Sequence, residues 1–255
     1  MTINQAFELL KKSGGIRAAR IITDEIKNLS WFRAHIIAHR LRSGTPVAKI
    51  IHKKWFYGLE FYTNHHTLDP RPDTETLVES VINDKWIAPK ILDLGTGTGC
   101  IIVALVKNID SATGTAVDIS RGALRVARRN IKKLNLRDRI KIKHGSFANQ
   151  KLLPHEKFDI IVSNPPYIAY GDPRVDAGAK HDPKIALYAK KRGMAAYEQI
   201  AKNAKNWIAE SGKLYIEIGA GGEVSVRKIF ESHGWQFVRA TRDLSGITRV
   251  LVFKF

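Results

Sequence analysis

Cysteine is nearly absent from this chain, with Cys100 the single one in 255 residues. That excludes an internal disulfide framework and a cysteine-rich structural zinc site. Acidic residues are scarce: 24 Asp and Glu face 42 Lys and Arg, which leaves a net charge of +18. Gly and Pro number only 19 and 9, which excludes a collagen-like or low-complexity chain. Long hydrophobic runs are missing as well. The longest fully apolar stretch, Ile101 to Val106, falls far below the ~20 residues of a membrane-spanning helix. Met1 to Lys12 carries Glu8 and reads as an amphipathic helix, not as a signal peptide. The expectation is a cytoplasmic, soluble protein with no membrane partner. The apolar share of 44% and charged share of 26% are those of a globular protein. The length suits one large domain with a small appendage. The positive charge favours polyanions or acidic partners, and it equally describes a solvated surface; alone it identifies neither.

The first part reads as helices. Thr2 and Gln5 have capping-box spacing before Phe7, Leu9 and Leu10. Ser13-Gly14-Gly15 should break that helix. Ile16, Ala19, Ile22 and Ile26 define a second helix, and Trp31, Ala34, Ile37, Ala38 and Leu41 a third. Trp55, Tyr57, Leu59 and Phe61 alternate around Gly58, the pattern of a short hairpin. Pro70-Arg71-Pro72-Asp73-Thr74-Glu75 then fixes the backbone and starts a helix at Asp73 or Thr74. From Lys90 onward strands and helices alternate. Strands are expected at 91–94, 115–118, 140–143, 158–163, 213–218, 235–240 and 247–253. Helices are expected at about 99–107, 120–134, 194–209 and 223–232. The run Phe158 to Ser163 is almost wholly apolar and should be central. Such alternation argues an α/β fold with an open, mostly parallel sheet, whose ligands bind at the carboxyl ends of the strands. The expected division is a small basic helical domain at 1–45, to which the resemblance given below assigns substrate docking, a hairpin and linker at 46–75, and the sheet domain at 76–255.

Three groups of residues carry chemistry. Asp93-Leu94-Gly95-Thr96-Gly97-Thr98-Gly99 lies between a strand and a helix, where glycines permit a tight turn and close backbone approach to a ligand. Its spacing differs from the G-x-G-x-x-G of dinucleotide-binding loops. Asp118 ends the next strand and could accept both hydroxyl hydrogens of a ribose, or merely cap the following helix. Ser163-Asn164-Pro165-Pro166-Tyr167 follows the central strand. Asn164 precedes proline and is pushed to extended backbone; two prolines remove two donors and stiffen the loop. Backbone carbonyls and the Asn164 oxygen remain as acceptors, suited to a planar nitrogen bearing two hydrogens. Tyr167 offers a flat face to pack against that group. Cys100 reads as a packing residue, since no base partner can be named. His65-His66 reads as solvated, and the long loop from Ala169 to Lys184 as a substrate lid or a segment ordered only by its partner.

These motifs resemble those of class I S-adenosylmethionine-dependent methyltransferases that act on planar amino groups. Pro70 to Glu75 narrows the resemblance to the peptide chain release factor N(5)-glutamine methyltransferase family. Gly44-x-Pro46-Val-Ala, Asp182-Pro183-x-x-Ala186-Leu187, Glu217-Ile-Gly219, and Asp243 with Arg249 agree with it. The resemblance covers roughly residue 40 to the end. It implies a Rossmann-like domain with a mostly parallel seven-stranded sheet and a small N-terminal helical domain. It implies S-adenosyl-L-methionine as cofactor, with S-adenosyl-L-homocysteine as product. Gly95, Thr96, Gly97, Thr98, Gly99 and Asp118 would hold the cofactor, with Asp93 orienting the loop and Asn164 also in contact. Asn164 and Pro165 would accept the hydrogens of a target glutamine amide, and Tyr167, beside Pro166, would pack on the carboxamide. The acid that many relatives place after the third strand is replaced by His144-Gly145-Ser146-Phe147, so Phe147 is expected only as an apolar wall. The implied partner is a release factor, with no stable nucleic-acid partner and a monomeric state. The other enzymatic reading is an N6-adenine methyltransferase on DNA or RNA, whose flipped base would occupy the same loop. A non-catalytic basic module is the third reading, and failure to bind cofactor would favour it.

Overall fold

The computed structural model describes residues 1–172 and 178–255. Helix α1 (Ile3–Glu25) starts with the expected reciprocal capping box between Thr2 and Gln5. The expected break becomes a kink at Gly15, the one residue whose backbone leaves the helical region. Helix α2 (Trp31–Arg42) is capped by the Ser30 side chain. A short α3 (Val47–Ile51) follows. Ala6, Leu10, Ala19, Ile22, Ala34, Ile37 and Ala38 form a core that also draws in Ile50 of α3.

Strands β1 (Lys53–Phe56) and β2 (Leu59–Tyr62) form the expected hairpin. Tyr57 and Gly58 both take positive φ at its tip, as a two-residue hairpin turn requires. The Glu75 carboxylate accepts from the Tyr57 N–H at 2.7 Å and fastens that tip to the following segment. A 3₁₀ turn at Pro72–Thr74 leads into α4 (Glu75–Ile82).

The remaining elements are β3 (Lys90–Leu94), α5 (Cys100–Asn108), β4 (Thr113–Asp118), α6 (Arg121–Lys133), β5 (Ile140–His144), β6 (Phe158–Ser163), β7 (Ile168–Ala169), α7 (Lys184–Leu187), β8 (Tyr188–Ala189), α8 (Ala195–Ala204), β9 (Ile208–Glu217), α9 (Glu223–Ser232), β10 (Gln236–Arg242) and β11 (Thr248–Lys254). Seven of these strands make one sheet in the order β10-β11-β9-β6-β3-β4-β5. Five neighbours run parallel, and β11 is antiparallel to both strands beside it. The apolar run of β6 is central, as expected. Alternating side chains feed two cores. Ile91, Ile160, Val162, Tyr215 and Val250 meet α4 and α5 on one face. Leu92, Leu94, Ile161, Leu214, Ile216 and Leu251 meet α8 and α9 on the other.

Helix α8 ends at Ala204, not near Ala209. Trp207 instead offers its carbonyl to the Phe158 N–H at 2.8 Å, and β9 begins at Ile208. The strand order reverses between β3 and β6, the position at which open sheets leave a crevice at their carboxyl ends. The Ser163 hydroxyl donates to the Leu94 carbonyl at 2.6 Å and ties the two strand ends together there. The Ala169–Lys184 segment expected as a lid includes residues 173–177, which lie outside the described residues.

Candidate active site at the carboxyl ends of the strands

Two cavities meet at this crevice. The first, of about 220 Å³, lies against the loop after β3 and takes in Gly95, Thr96, Gly97, Thr98, Asp118, Phe147, Asn164 and Pro166. The second, of about 200 Å³, takes in Pro165, Tyr167, Asp182 and Leu187. Asn164, Arg71, Leu68 and Ala186 belong to both walls. One side chain of the expected acceptor loop thus stands on the boundary between two compartments.

Local sequence builds the first cavity. Gly95, Gly97 and Gly99 all adopt positive φ, which an L side chain rarely tolerates. The Gly95 and Thr96 N–H groups both donate to the Val117 carbonyl at 2.9 Å, folding the loop over β4. Beneath it, Asp93 is fully buried and accepts from the Thr96 hydroxyl at 2.6 Å. Asp93 supports the loop from below and does not line the cavity; nor does Gly99. Burial pushes the Asp93 carboxyl up to about 7. Asp118 does line it, accepting from the Gly97 N–H at 2.9 Å and the Ser120 N–H at 2.8 Å. Burial raises its pKa as well, against those two bonds. Ile119 and Ile101 add apolar wall.

Cys100 is buried at the floor, and burial pushes its thiol up to about 12, so it has no nucleophilic character. His66 departs from the solvated reading: it is half-buried and lines the cavity. Its loop lies directly on α6, where a Cβ at Gly122 would come within 2.6 Å of the His66 ring. Asn130 of α6 is fully buried; its side chain accepts from the Tyr62 N–H and donates to the carbonyls of Tyr62 and Thr98. One asparagine therefore joins the hairpin to the glycine loop. In a lysine- and arginine-rich helix its polar character hid this role.

Long-range contacts build the second cavity. The Asn164 amide nitrogen donates to the Thr74 hydroxyl at 3.1 Å, and among the described residues nothing donates to its oxygen. Glu217 lies beside Thr74 and is fully buried; desolvation pushes its carboxyl up to about 7. The Tyr167 ring lies against Gly219, where an added Cβ would stand 3.0 Å from it. A Cβ at Gly193, which has positive φ, would collide with the Tyr167 carbonyl. These glycines set the place of Tyr167. Arg249 bridges Asp73 at 2.8 Å and Asp243 at 2.7 Å, so motif residues far apart in sequence form one ion network. It anchors the Pro70–Glu75 segment over the cavities.

Lys49 of α3 carries no signal of function in the sequence. It is 3% exposed, and its ammonium lies 2.9 Å from both Asp69 and Asp182. It also donates to the carbonyls of Asn64 and Thr67. A single buried cation thereby ties the helical unit to the covering segment and to the wall of the second cavity.

Sheet order, glycine loop and Asn-Pro-Pro-Tyr turn together define a Rossmann-like methyltransferase domain, and the comparisons agree. The "Methyltransferase small domain" family model matches residues 65–180. The catalytic domain of hMettl16, solved with the MAT2A 3'UTR hairpin 6, superposes with a TM-score of 0.60 at 18% identity, covering 78% of this chain and 76% of that one. A bifunctional methyltransferase of Rickettsia felis is 38% identical over 82% of this chain and 45% of its own length. This chain thus spans about half the length of the Rickettsia relatives it matches. A release factor glutamine methyltransferase of Agrobacterium fabrum is 38% identical over 87% of this chain and 78% of its own length. The chain belongs to the release factor glutamine methyltransferase family.

Proposed function

We propose that this protein transfers a methyl group from S-adenosyl-L-methionine to the side-chain amide nitrogen of the glutamine in the Gly-Gly-Gln motif of peptide chain release factors. The observation that carries this reading is Asn164 on the wall shared by two cavities, with its nitrogen engaged by Thr74 and no donor to its oxygen among the described residues. The residues present fit the cofactor. The positive-φ glycines leave backbone open to close approach, Asp118 supplies a carboxylate for ribose hydroxyls, and Ile101, Ile119 and Phe147 supply apolar walls. When bound, S-adenosyl-L-methionine supplies an electrophilic methyl on a sulfonium.

The acceptor nitrogen is a weak nucleophile, because its lone pair is delocalised into the carbonyl. Asn164 Oδ1 and the Pro165 carbonyl accept its two hydrogens, raise its electron density and aim it toward the first cavity; as the nitrogen–methyl bond forms and the sulfur–methyl bond breaks, one of those hydrogens leaves as a proton to solvent. Pro165 and Pro166 hold that loop rigid, so little reorganisation accompanies the developing positive charge. Tyr167 packs on the carboxamide plane. Its phenol stays protonated, since burial lifts its pKa far above the ordinary range. The second cavity accepts the peptide bearing the glutamine, and the basic N-terminal helices help to dock the protein substrate. The protein acts as a cytoplasmic monomer in this reading. No helix among the described residues is long and apolar enough to cross a membrane.

The test offers labelled S-adenosyl-L-methionine with three acceptors: a release factor, the same factor with the motif Gln changed to Ala, and adenine-containing DNA or RNA. Label on the intact factor alone is expected. Label on nucleic acid alone assigns the N6-adenine reading instead.

A further inference from the structure

Helix α6 carries six cationic residues, Arg121, Arg125, Arg128, Arg129, Lys132 and Lys133, and no acid. All six are exposed, and they are the only exposed residues of the helix. Two are used within the fold. Lys133 pairs with Glu60, and the Arg129 guanidinium lies 3.6 Å above the Tyr62 ring. The other four, Arg121, Arg125, Arg128 and Lys132, form no ion pair among the described residues. At 100° per residue they fall within an arc of about 60°, and at 1.5 Å per residue they form a line about 17 Å long with steps of about 4.5–6 Å.

Local physics does not favour this line. Like charges at i,i+4 repel, and Arg121 occupies the first turn, where the helix dipole disfavours a cation. A solvated face needs no such alignment and would carry acids among the bases. An acidic protein partner would need an apolar or aromatic anchor at the centre of the contact, and this stripe has none. Arginine forks pair with phosphate oxygens bidentately, and a line of them suits the repeated phosphates of a strand.

We propose that the Arg121–Arg125–Arg128–Lys132 stripe of α6 binds the phosphate backbone of a nucleic-acid strand. Helix α6 packs on β4 and β5, at the end of the sheet away from the second cavity beside β6. A bound strand therefore leaves the acceptor cavity open. The strand is a docking partner, not the methyl acceptor, which departs from the expectation of no stable nucleic-acid partner.

The experiment measures fluorescence anisotropy of the full chain with a labelled single-stranded RNA, a DNA of the same sequence, and polyglutamate, at 50 and 200 mM salt. About four neutralised phosphates predict a log–log salt slope near −3, roughly a 50-fold weakening over that range. The R121Q/R125Q/R128Q/K132Q variant should lose at least ~30-fold in affinity at 50 mM salt and lose most of that slope. The K107Q/K202Q/K205Q/K228Q variant removes the same charge from other exposed positions and should stay within ~3-fold of the unaltered chain. Circular dichroism and thermal melting establish that both variants fold. Equal affinity for RNA and DNA supports backbone recognition. Equal loss in both variants would overturn the site, because bulk charge would then suffice. Polyglutamate binding as tightly as RNA would overturn the choice of partner, and undiminished binding by the stripe variant would overturn the proposal outright.

Discussion

The two cavities sit side by side yet are built differently. The floor of the first comes from short connections that directly follow strands, namely the glycine loop after β3, Asp118 at the end of β4, and Gly145 to Phe147 after β5, with His66 to Arg71 and Ala186 closing it from above. Its contacts are mostly to backbone, and its walls are mostly apolar. The second is assembled from segments far apart in sequence: Arg71 before α4, Pro165 and Tyr167 after β6, and Asp182 before α7, held by Lys49 from the helical unit. Its contacts are mostly between charged or polar side chains. The floor of the first cavity needs little beyond loops at neighbouring strand ends, whereas the second needs segments from distant parts of the chain.

The largest effect is expected at Lys49, which holds the second cavity together. Lys49→Met leaves Asp69 and Asp182 buried without their cation and should destabilise the protein by about 3–5 kcal/mol. Adding Asp69→Asn and Asp182→Asn should return most of that loss, because no buried charge then lacks a partner. Chemical denaturation of the single and triple variants measures both effects. Asp118→Asn acts on the other side. It keeps the shape but removes the anion and one of the two oxygens that accept from Gly97 and Ser120, and should weaken cofactor binding by roughly 10-fold at a cost of about 1 kcal/mol in stability. Titration calorimetry with S-adenosyl-L-methionine reads that effect.

A pH-dependent effect is expected at Glu217. Its folded-state carboxyl is raised from an ordinary value near 4.5 to about 7, so the folded protein holds this proton more tightly than the unfolded chain. Stability from that proton is present below the unfolded value and is lost as pH rises through about 7. Glu217→Gln should therefore raise the melting temperature at pH 8 and leave it nearly unchanged at pH 4. Melting curves at the two pH values check the sign. Asp93, raised to about 7 by the same burial, shares that direction.

The same contrast decides what the sequence revealed. The first cavity was legible because its signals are local: glycine spacing, an acid at a strand end, and an apolar strand on each side. Asn-Pro-Pro-Tyr was legible because proline constrains its neighbours wherever it falls. Lys49 was not legible. In Val47-Ala48-Lys49-Ile50-Ile51 a lysine reads as a surface residue, and its two carboxylates lie 20 and 133 positions away. Thr74 read as a helix start, and its bond to Asn164 spans 90 positions. Asn130 was hidden in a basic helix whose charged face dominated its pattern. Strands β7 and β8 contain two residues each, too few to carry a period. The end of α8 was misplaced because Trp207 and Ile208 continue an apolar pattern that tertiary pairing with β6 redirects into a strand.

The role proposed for Asn164, which lines both cavities, lies in the chemistry more than in the holding of cofactor. It is tested most directly by comparing Asn164→Ala with the unaltered chain in two measurements on one preparation: turnover on a release factor, and affinity for S-adenosyl-L-methionine. The account predicts a loss of about 10²–10³ in kcat, as for removal of a group acting at the reacting atoms, with cofactor affinity within about 3-fold. Turnover comparable to the unaltered chain, or a loss that follows cofactor affinity step for step, would contradict it.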